Sequence, residues 1–173
     1  MIKLEPLAGH HNRKAFDCGV PALNAWLAQT AWQHQGKGIS RTFVAVPADA
    51  QAAGEYQHLG YGPIGQASVL GFYALSSAFV LLEDLPSELA QRYPKQIPVT
   101  RLGRLAILAS MQGQGLGRLL LADAVSRARS AAQTVGSAGI FVDAKDRDGA
   151  GFYRRLGFRP CANKPLGLYL PIG

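Results

Sequence analysis

Gln112-Gly113-Gln114-Gly115-Leu116-Gly117-Arg118 decides the reading of this chain. The apolar run Arg104-Leu105-Ala106-Ile107-Leu108 leads into it and Leu119-Leu120-Leu121 follows, the pattern of a strand entering a glycine-rich turn that opens a helix. Such a turn gathers unpaired backbone N–H groups at the positive end of a helix dipole, which makes a seat for a phosphate. Glycine at positions 113, 115 and 117 lets the backbone come close to a diphosphate with no Cβ in the way. Arg118 puts a cation in a first helical turn, where the dipole alone disfavours it, so the turn asks for an anion. Two common phosphate loops are excluded: G-x-x-x-x-G-K-[ST] is absent, and the glycine spacing does not match G-x-G-x-x-G. Taken alone, the stretch is also compatible with a tight turn carrying packing glycines.

Downstream context favours the phosphate reading. Gly139-Ile140-Phe141-Val142-Asp143 reads as a short strand, residues 146–156 as a short helix, and Gly157-Phe158 as its stop before another strand. Gly157 suits the left-handed position after a helix, with Phe152 and Leu156, four residues apart, as the buried stripe. One position along a helix is a rotation of about 100°. The pattern therefore predicts that Tyr153 faces a cleft while Phe152 faces the core.

A chain of 173 residues fits one domain, and a domain of that size buries roughly 70% of its unfolded surface, enough for a core without staples. Cys18 and Cys161 offer neither a metal spacing nor a disulfide framework and read as small buried side chains in a reducing cytoplasm. No apolar run approaches the length of a membrane span or of a signal segment, so the expectation is a soluble, unexported, cytoplasmic protein. The net charge is +7 although only 17% of residues are charged. Acids are scarce more than bases are abundant, which favours an anionic partner: a nucleotide cofactor, a nucleic acid or an acidic protein.

Along the chain, residues 20–35 read as one amphipathic helix with Leu23, Trp26, Leu27, Thr30, Ala31 and His34 on a stripe. Pro21 suits its first turn and Gly36 its end. His34 reads as packing or capping. His10, His11 and His58 have no further ligand at metal spacing, and no metal is expected. Residues 41–46 form a strand and residues 64–76 hold another. Between them, residues 47–63 are rich in Ala, Gly and Gln and lack periodicity, so they read as a long loop insertion. Residues 85–94 open a short helix, 98–108 form a central strand, 116–131 the helix after the phosphate turn, and 165–172 a last strand. Strands alternate with helices but some pair as hairpins, so the class is α/β or α+β with a mixed sheet in one domain.

These features resemble the GNAT acyl-CoA-dependent N-acetyltransferases. Gln112-x-x-Gly115-x-Gly117 is similar to that family's pyrophosphate loop, and Phe152-Tyr153-Arg154-Arg155-Leu156-Gly157-Phe158 to its second cofactor motif. Within the family the chain resembles the toxin branch of toxin–antitoxin pairs, through Phe16-Asp17-Cys18-Gly19-Val20-Pro21-Ala22-Leu23-Asn24-Ala25-Trp26-Leu27, Ser40-Arg41-Thr42-Phe43-Val44, Gly71-Phe72-Tyr73-Ala74-Leu75, Ile97-Pro98-Val99, Leu102-Gly103-Arg104-Leu105-Ala106 and Pro165-Leu166-Gly167-Leu168-Tyr169-Leu170-Pro171. The resemblance implies a mostly antiparallel sheet whose central strands splay to admit acetyl-CoA. It further implies that Leu105, Ala106 and Ile107 supply the edge that pairs with the pantetheine. On the same resemblance Gln112, Gly113, Gln114, Gly115, Leu116, Gly117 and Arg118 hold the diphosphate, and Phe152 and Tyr153 flank the thioester. The 47–63 stretch is longer than the connection expected in that branch.

Transfer of acetyl to an amine needs a neutral amine, a stabilised oxyanion and a proton for the departing thiolate. Tyr153 suits the last role: a phenol of pKa about 10 stays protonated at neutral pH and can donate to a thiolate whose acid lies near 8.5. A free α-amine is about a tenth neutral at pH 7, against less than about 0.1% for a lysine, so an α-amine acceptor needs no strong base. Glu83, Asp84 or Asp143 could act through water. The toxin branch acetylates the α-amine of charged tRNA, with Lys37, Arg41, Arg92, Lys95, Arg101, Arg104 and Arg154 as candidate phosphate contacts. It also implies a ribbon-helix-helix antitoxin with an acidic tail, and a homodimer. The competing readings are an acetyltransferase for a small amine, polyamine or protein N-terminus, and a regulatory module that binds CoA or nucleic acid without turnover.

Overall fold

A computed structural model describes residues 1–90 and 93–172. Seven strands form one sheet in the order β1-β2-β3-β4-β5-β7-β6. Their ranges are β1 Ile2–Pro6, β2 Arg41–Pro47, β3 Gly71–Leu81, β4 Gln96–Ile107, β5 Gly139–Asp143, β6 Arg159–Pro160 and β7 Gly167–Pro171. β1 with β2, β2 with β3, β5 with β7 and β6 with β7 pair antiparallel, while β4 and β5 run parallel. Among the described residues six helices accompany them: α1 Pro21–Gln29, α2 Ala31–Gly36, α3 Ala50–His58, α4 Ser87–Ala90, α5 Leu116–Ala132 and α6 Arg147–Arg155. Among the described residues no helix is long and apolar enough to cross a membrane. This is the mixed, mostly antiparallel α/β arrangement that the resemblance implies.

Cα packing divides the chain into two compact units, Met1–Leu75 with Arg104–Ala124, and Ser76–Gly103 with Val125–Gly173. In the first, Phe16, Trp26, Leu27, Ala31, Val44, Val46, Val69, Phe72 and Ala106 share a core. Trp26 stacks on Phe72 with ring centroids 6.0 Å apart, and Phe16 meets Phe72 edge-on at 5.4 Å. In the second, Val80, Leu85, Leu89, Ile97, Val99, Phe141, Cys161 and Tyr169 do the same. Cys18 and Cys161 are both buried thiols, as expected of small core side chains.

Several boundaries differ from the sequence reading. The single helix expected over 20–35 is two, broken at Thr30, whose φ of −118° lies off the helical range although its N–H still reaches the Trp26 carbonyl at 2.9 Å. The stripe itself holds: Trp26, Leu27 and Ala31 are buried. β1 was not anticipated, because its alternation of Ile2 and Leu4 with Lys3 and Glu5 is short. The largest correction concerns 47–63, which is not a loop but carries α3. Asp49 caps it by accepting the Ala52 N–H at 2.8 Å, and Ala52, Ala53 and Tyr56 form its buried face. That cap and the spacing of those three residues are a helical signal hidden by Gly54 and by short length.

Close approach rather than chain flexibility explains Gly139. A Cβ there would sit 2.4 Å from the Tyr169 ring and 2.6 Å from the Leu170 carbonyl oxygen, so β5 and β7 need a bare backbone at that pair. Gly139→Ala should therefore cost at least about 2 kcal/mol in denaturant unfolding. Gly136→Ala, whose added methyl meets nothing within 4 Å, should stay within about 0.5 kcal/mol of the parent. Equal effects of the two substitutions would show that the contact is not what excludes a side chain.

Candidate active site

In the first unit, β4 carries Leu105, Ala106 and Ile107 straight into the glycine turn. Pairing of β4 with β5 runs from Thr100–Ile140 to Leu102–Val142 and stops there, whereas β4 continues to Ile107. Leu105, Ala106 and Ile107 lie beyond that register, on the stretch that the resemblance assigns to the pantetheine. Ala106 is buried, and Leu105 and Ile107 are half-buried. A short 3-10 turn, Ala109–Met111, then leads to the loop.

The loop is stapled from below and open above. Gln112, an exposed residue, is tied by its side chain, its Nε2 donating to the Cys18 carbonyl at 2.9 Å and the Ile107 carbonyl at 3.0 Å. Gly113 and Gly115 have φ of +80° and +86°, and a Cβ at either position would meet nothing within 4 Å. Left-handed backbone with free space above it is what a close-approaching diphosphate needs, and side chains would be strained there. Leu116, Gly117 and Arg118 open α5, so their N–H groups have no carbonyl four residues back within the helix. Gly113, Gln114, Gly115 and Arg118 are exposed, Gly117 is half-buried, and Leu116 is buried as the helix's first core residue. Diphosphate chemistry and donor set therefore fit.

What supports the staple was not read as functional from sequence. Asp17 accepts the Gly19 N–H at 2.8 Å and the Asn24 side-chain amide at 2.9 Å, closing an Asx turn around Gly19, whose φ is +87°. These two bonds, the Gly19 backbone bond first, hold the Asp17 carboxyl below its ordinary pKa. Asn24 in turn accepts the Cys18 N–H at 2.9 Å, and the Asp17 carbonyl accepts the Ala109 N–H at 2.8 Å. The Phe16-Asp17-Cys18-Gly19 block is thus the floor on which the loop rests. Its Asp-x-Gly spacing was the available signal.

In the second unit, α6 presents Phe152 and Tyr153, and here the sequence reading is reversed. Tyr153 is buried, only 8% exposed, while Phe152 is half-buried. The helix end is the cause. The Phe158 N–H bonds the Tyr153 carbonyl and the Gly157 N–H bonds the Arg154 carbonyl, both at 3.1 Å, with Gly157 at φ +100°. This Schellman closure draws the residue after the glycine onto the residue that begins the last turn. Phe158 accordingly packs edge-on against Tyr153 at 5.5 Å, and Phe152 does so at 5.2 Å. Burial pushes the Tyr153 phenol up to about 12.

The proposed phosphate contacts divide between the units. Lys37 and Arg41 lie exposed in the first, where Arg104 is half-buried with its guanidinium 4.3 Å from the Trp26 ring centroid. Lys95, Arg101 and Arg154 lie exposed in the second, where Arg101 reaches Asp143 at 3.4 Å. That contact also engages one of the three carboxylates considered as a water-linked base. Arg92 lies outside the described residues. Glu5, His10 and His11, which the spacing rule passed over, have donor atoms within 4.8 Å of one another. His11 takes the Ala8 N–H on Nδ1 at 2.9 Å and faces Glu5 with Nε2 at 2.7 Å. The hydrogen-bond geometry therefore puts the proton on Nε2, the atom that would bind a cation; moving it to Nδ1 would oppose two donors. Through His11 the cluster ties Glu5 to the Ala8 backbone.

Comparison with known proteins shows the family and the fold. Residues 76–160 match the acetyltransferase (GNAT) domain family. A tRNA-acetylating toxin of Mycobacterium tuberculosis is 33% identical over 156 residues, covering 90% of this chain and 83% of the relative. The structure of AtaT complexed with acetyl-methionyl-tRNAfMet superposes with a TM-score of 0.84 at 31% identity, covering 99% of this chain and 95% of that one. A mutant AtaT toxin bound to the C-terminus of its antitoxin AtaR and acetyl-CoA superposes with a TM-score of 0.75 at 29% identity, covering 99% and 93%.

Burial of Tyr153 has a measurable consequence. Its pKa is raised above the ordinary 10, so the neutral phenol adds stability that is fully present below pH 10 and is lost as pH rises through about 12. An ultraviolet difference titration of the parent against Tyr153→Phe should stay flat through pH 10 and change only toward pH 12. Ionisation of this phenol at or below its ordinary value would contradict the buried placement. On fold, motif and kinship together, the chain belongs to the GNAT acetyltransferases, in their toxin branch.

Proposed function

We propose that this protein transfers the acetyl group of acetyl-CoA to the α-amino group of an aminoacyl-tRNA and so removes that tRNA from translation. The observation that carries the reading is the open turn at 112–118, stapled from beneath by Gln112 with its left-handed glycines facing free space. AtaT's complex with an acetylated aminoacyl-tRNA and the name of the mycobacterial relative supply the acceptor class.

In the proposed reaction the diphosphate is held by the amides of residues 112–118, and the pantetheine pairs with the main chain of Leu105, Ala106 and Ile107. The neutral α-amine attacks the acyl carbon and the C–S bond breaks. Tyr153 gives its proton to the thiolate, and the acylated nitrogen releases one that restores the phenol through solvent. A raised phenol pKa keeps the donor protonated, and an amine titrating near 7.7 to 8.0 supplies enough neutral nucleophile without a dedicated base. Phe152 flanks the thioester. Lys37, Arg41, Arg92, Lys95, Arg101, Arg104 and Arg154 contact acceptor phosphates, which suits a chain of net charge +7 acting in the cytoplasm. A ribbon-helix-helix antitoxin with an acidic tail masks that basic surface. A homodimer is favoured by Phe79 and Leu81, 67% and 46% exposed at alternate positions of β3.

Labelled acetyl-CoA offered with charged tRNA, polyamines and peptide N-termini should mark the charged tRNA. The tRNA KM should climb steeply with salt while the acetyl-CoA KM moves far less. Tyr153→Phe should lower the transfer rate at least about 10²-fold. Preferential labelling of free amines would replace the acceptor, and an unchanged rate in the variant would remove Tyr153 from the chemistry. In sedimentation, Phe79→Glu should convert a dimer to a monomer; a parent that is already monomeric would overturn the pairing.

A further inference from the structure

The segment read from sequence as a long loop insertion ends against the turn at 112–118. α3 stops in a Schellman closure: the Tyr61 N–H bonds the Tyr56 carbonyl at 3.2 Å and the Gly60 N–H bonds the Gln57 carbonyl at 3.1 Å, with Gly60 at φ +89°. Tyr61 therefore takes the position after the glycine. Its ring meets that of Tyr56, a buried residue on the helix face, at 6.0 Å and 66°. Gly62, at φ +108°, turns the chain away again directly afterwards, so Tyr61 stands between two left-handed glycines. Backbone and ring contacts therefore fix its orientation independently of the hydrogen bonds it makes with the loop residues.

Those bonds hold the glycine turn on both sides. The Tyr61 phenol donates to Gln114 Oε1 at 2.9 Å, at the crest of the turn, while the Tyr61 carbonyl accepts from Ser110 Oγ at 2.8 Å, before its start. Gln112 is already tied from below by Cys18 and Ile107. Between left-handed glycines at 113 and 115, Gln114 has no other restraint of this kind among the described residues. An exposed glycine-rich segment left alone would sample many conformers, and ordering it on binding would cost affinity.

We infer that Tyr61 is a positioning residue for acetyl-CoA: α3 serves as a strut whose terminal tyrosine pre-orders the crest of the 112–118 turn for the diphosphate. This rests on the reading that the turn holds that diphosphate. Tyr61 acts through Gln114 and touches neither the acetyl group nor the acceptor. Its loss should fall on cofactor affinity and leave the chemical step alone.

Two acetyl donors test it: acetyl-CoA, and S-acetylpantetheine, which keeps the thioester but lacks the diphosphate. The parent should use acetyl-CoA at a much lower KM. Tyr61→Phe, which removes only the hydroxyl, should raise the acetyl-CoA KM about three- to tenfold with kcat within about twofold, and should leave the S-acetylpantetheine kinetics unchanged. Gln114→Ala should show the same split, and the double variant should be no worse than either single change. A melting temperature within a few degrees of the parent shows that the Tyr61→Phe chain is folded. If the parent itself does not prefer acetyl-CoA, the diphosphate reading fails. If the parent prefers it and Tyr61→Phe keeps the full preference, or loses equally with both donors, the strut is overturned while the loop assignment stands.

Discussion

The side-chain amide of Gln112 is the interaction on which the rest depends. Its Nε2 bridges the carbonyls of Cys18 and Ile107, joining the end of β4 to the turn before α1. A glycine-rich loop has a high conformational entropy when free, and an anion seat made of main-chain N–H groups works only if those groups already point one way. The Gln112 amide is satisfied by the carbonyls of Cys18 and Ile107, while Gln114 at the crest is held by the Tyr61 phenol. The Asp17 Asx turn and the bond from the Ala109 N–H to the Asp17 carbonyl make the floor itself rigid. That explains why a chain with this loop also carries Phe16-Asp17-Cys18-Gly19 and Asn24 far upstream.

Two helices end by the same device and use it for opposite purposes. In α6 the closing glycine turns Phe158 onto Tyr153, and the phenol is buried with a raised pKa. In α3 the same closure leaves Tyr61 half-exposed with its hydroxyl reaching Gln114. The outcome turns on which tyrosine position is involved. The residue beginning the last turn is covered, and the residue following the glycine does the covering or reaches outward. Desolvation keeps the buried phenol protonated. A reaching phenol suits a tie.

Much of this was legible beforehand where local chemistry sets the conformation. β5 and the limits of α5 and α6 follow from apolar runs bounded by glycine and by capping aspartate, and the turn at 112–118 follows from glycine spacing. What escaped was set by contacts remote in sequence. Tyr153 reads as cleft-facing from helical periodicity alone because Phe158, beyond the helix, is what buries it. α3 was missed because Gly54 and a polar surface blur a periodicity that Ala52, Ala53 and Tyr56 still carry once Asp49 is recognised as a cap. The break at Thr30 left the apolar stripe intact, so pattern reading saw one helix where the backbone has two. Nothing in composition joins Tyr61 to Gln114 across the intervening strands.

The most direct measurement of the central claim is an amide-resolved NMR titration of the protein with CoA and, separately, with pantetheine. If main-chain N–H groups seat the diphosphate, the amides of residues 113–118 should shift strongly with CoA and hardly at all with pantetheine, while those of Leu105 to Ile107 respond to both. Strong shifts confined to other segments, or an equal response of the 113–118 amides to the two ligands, would contradict the account.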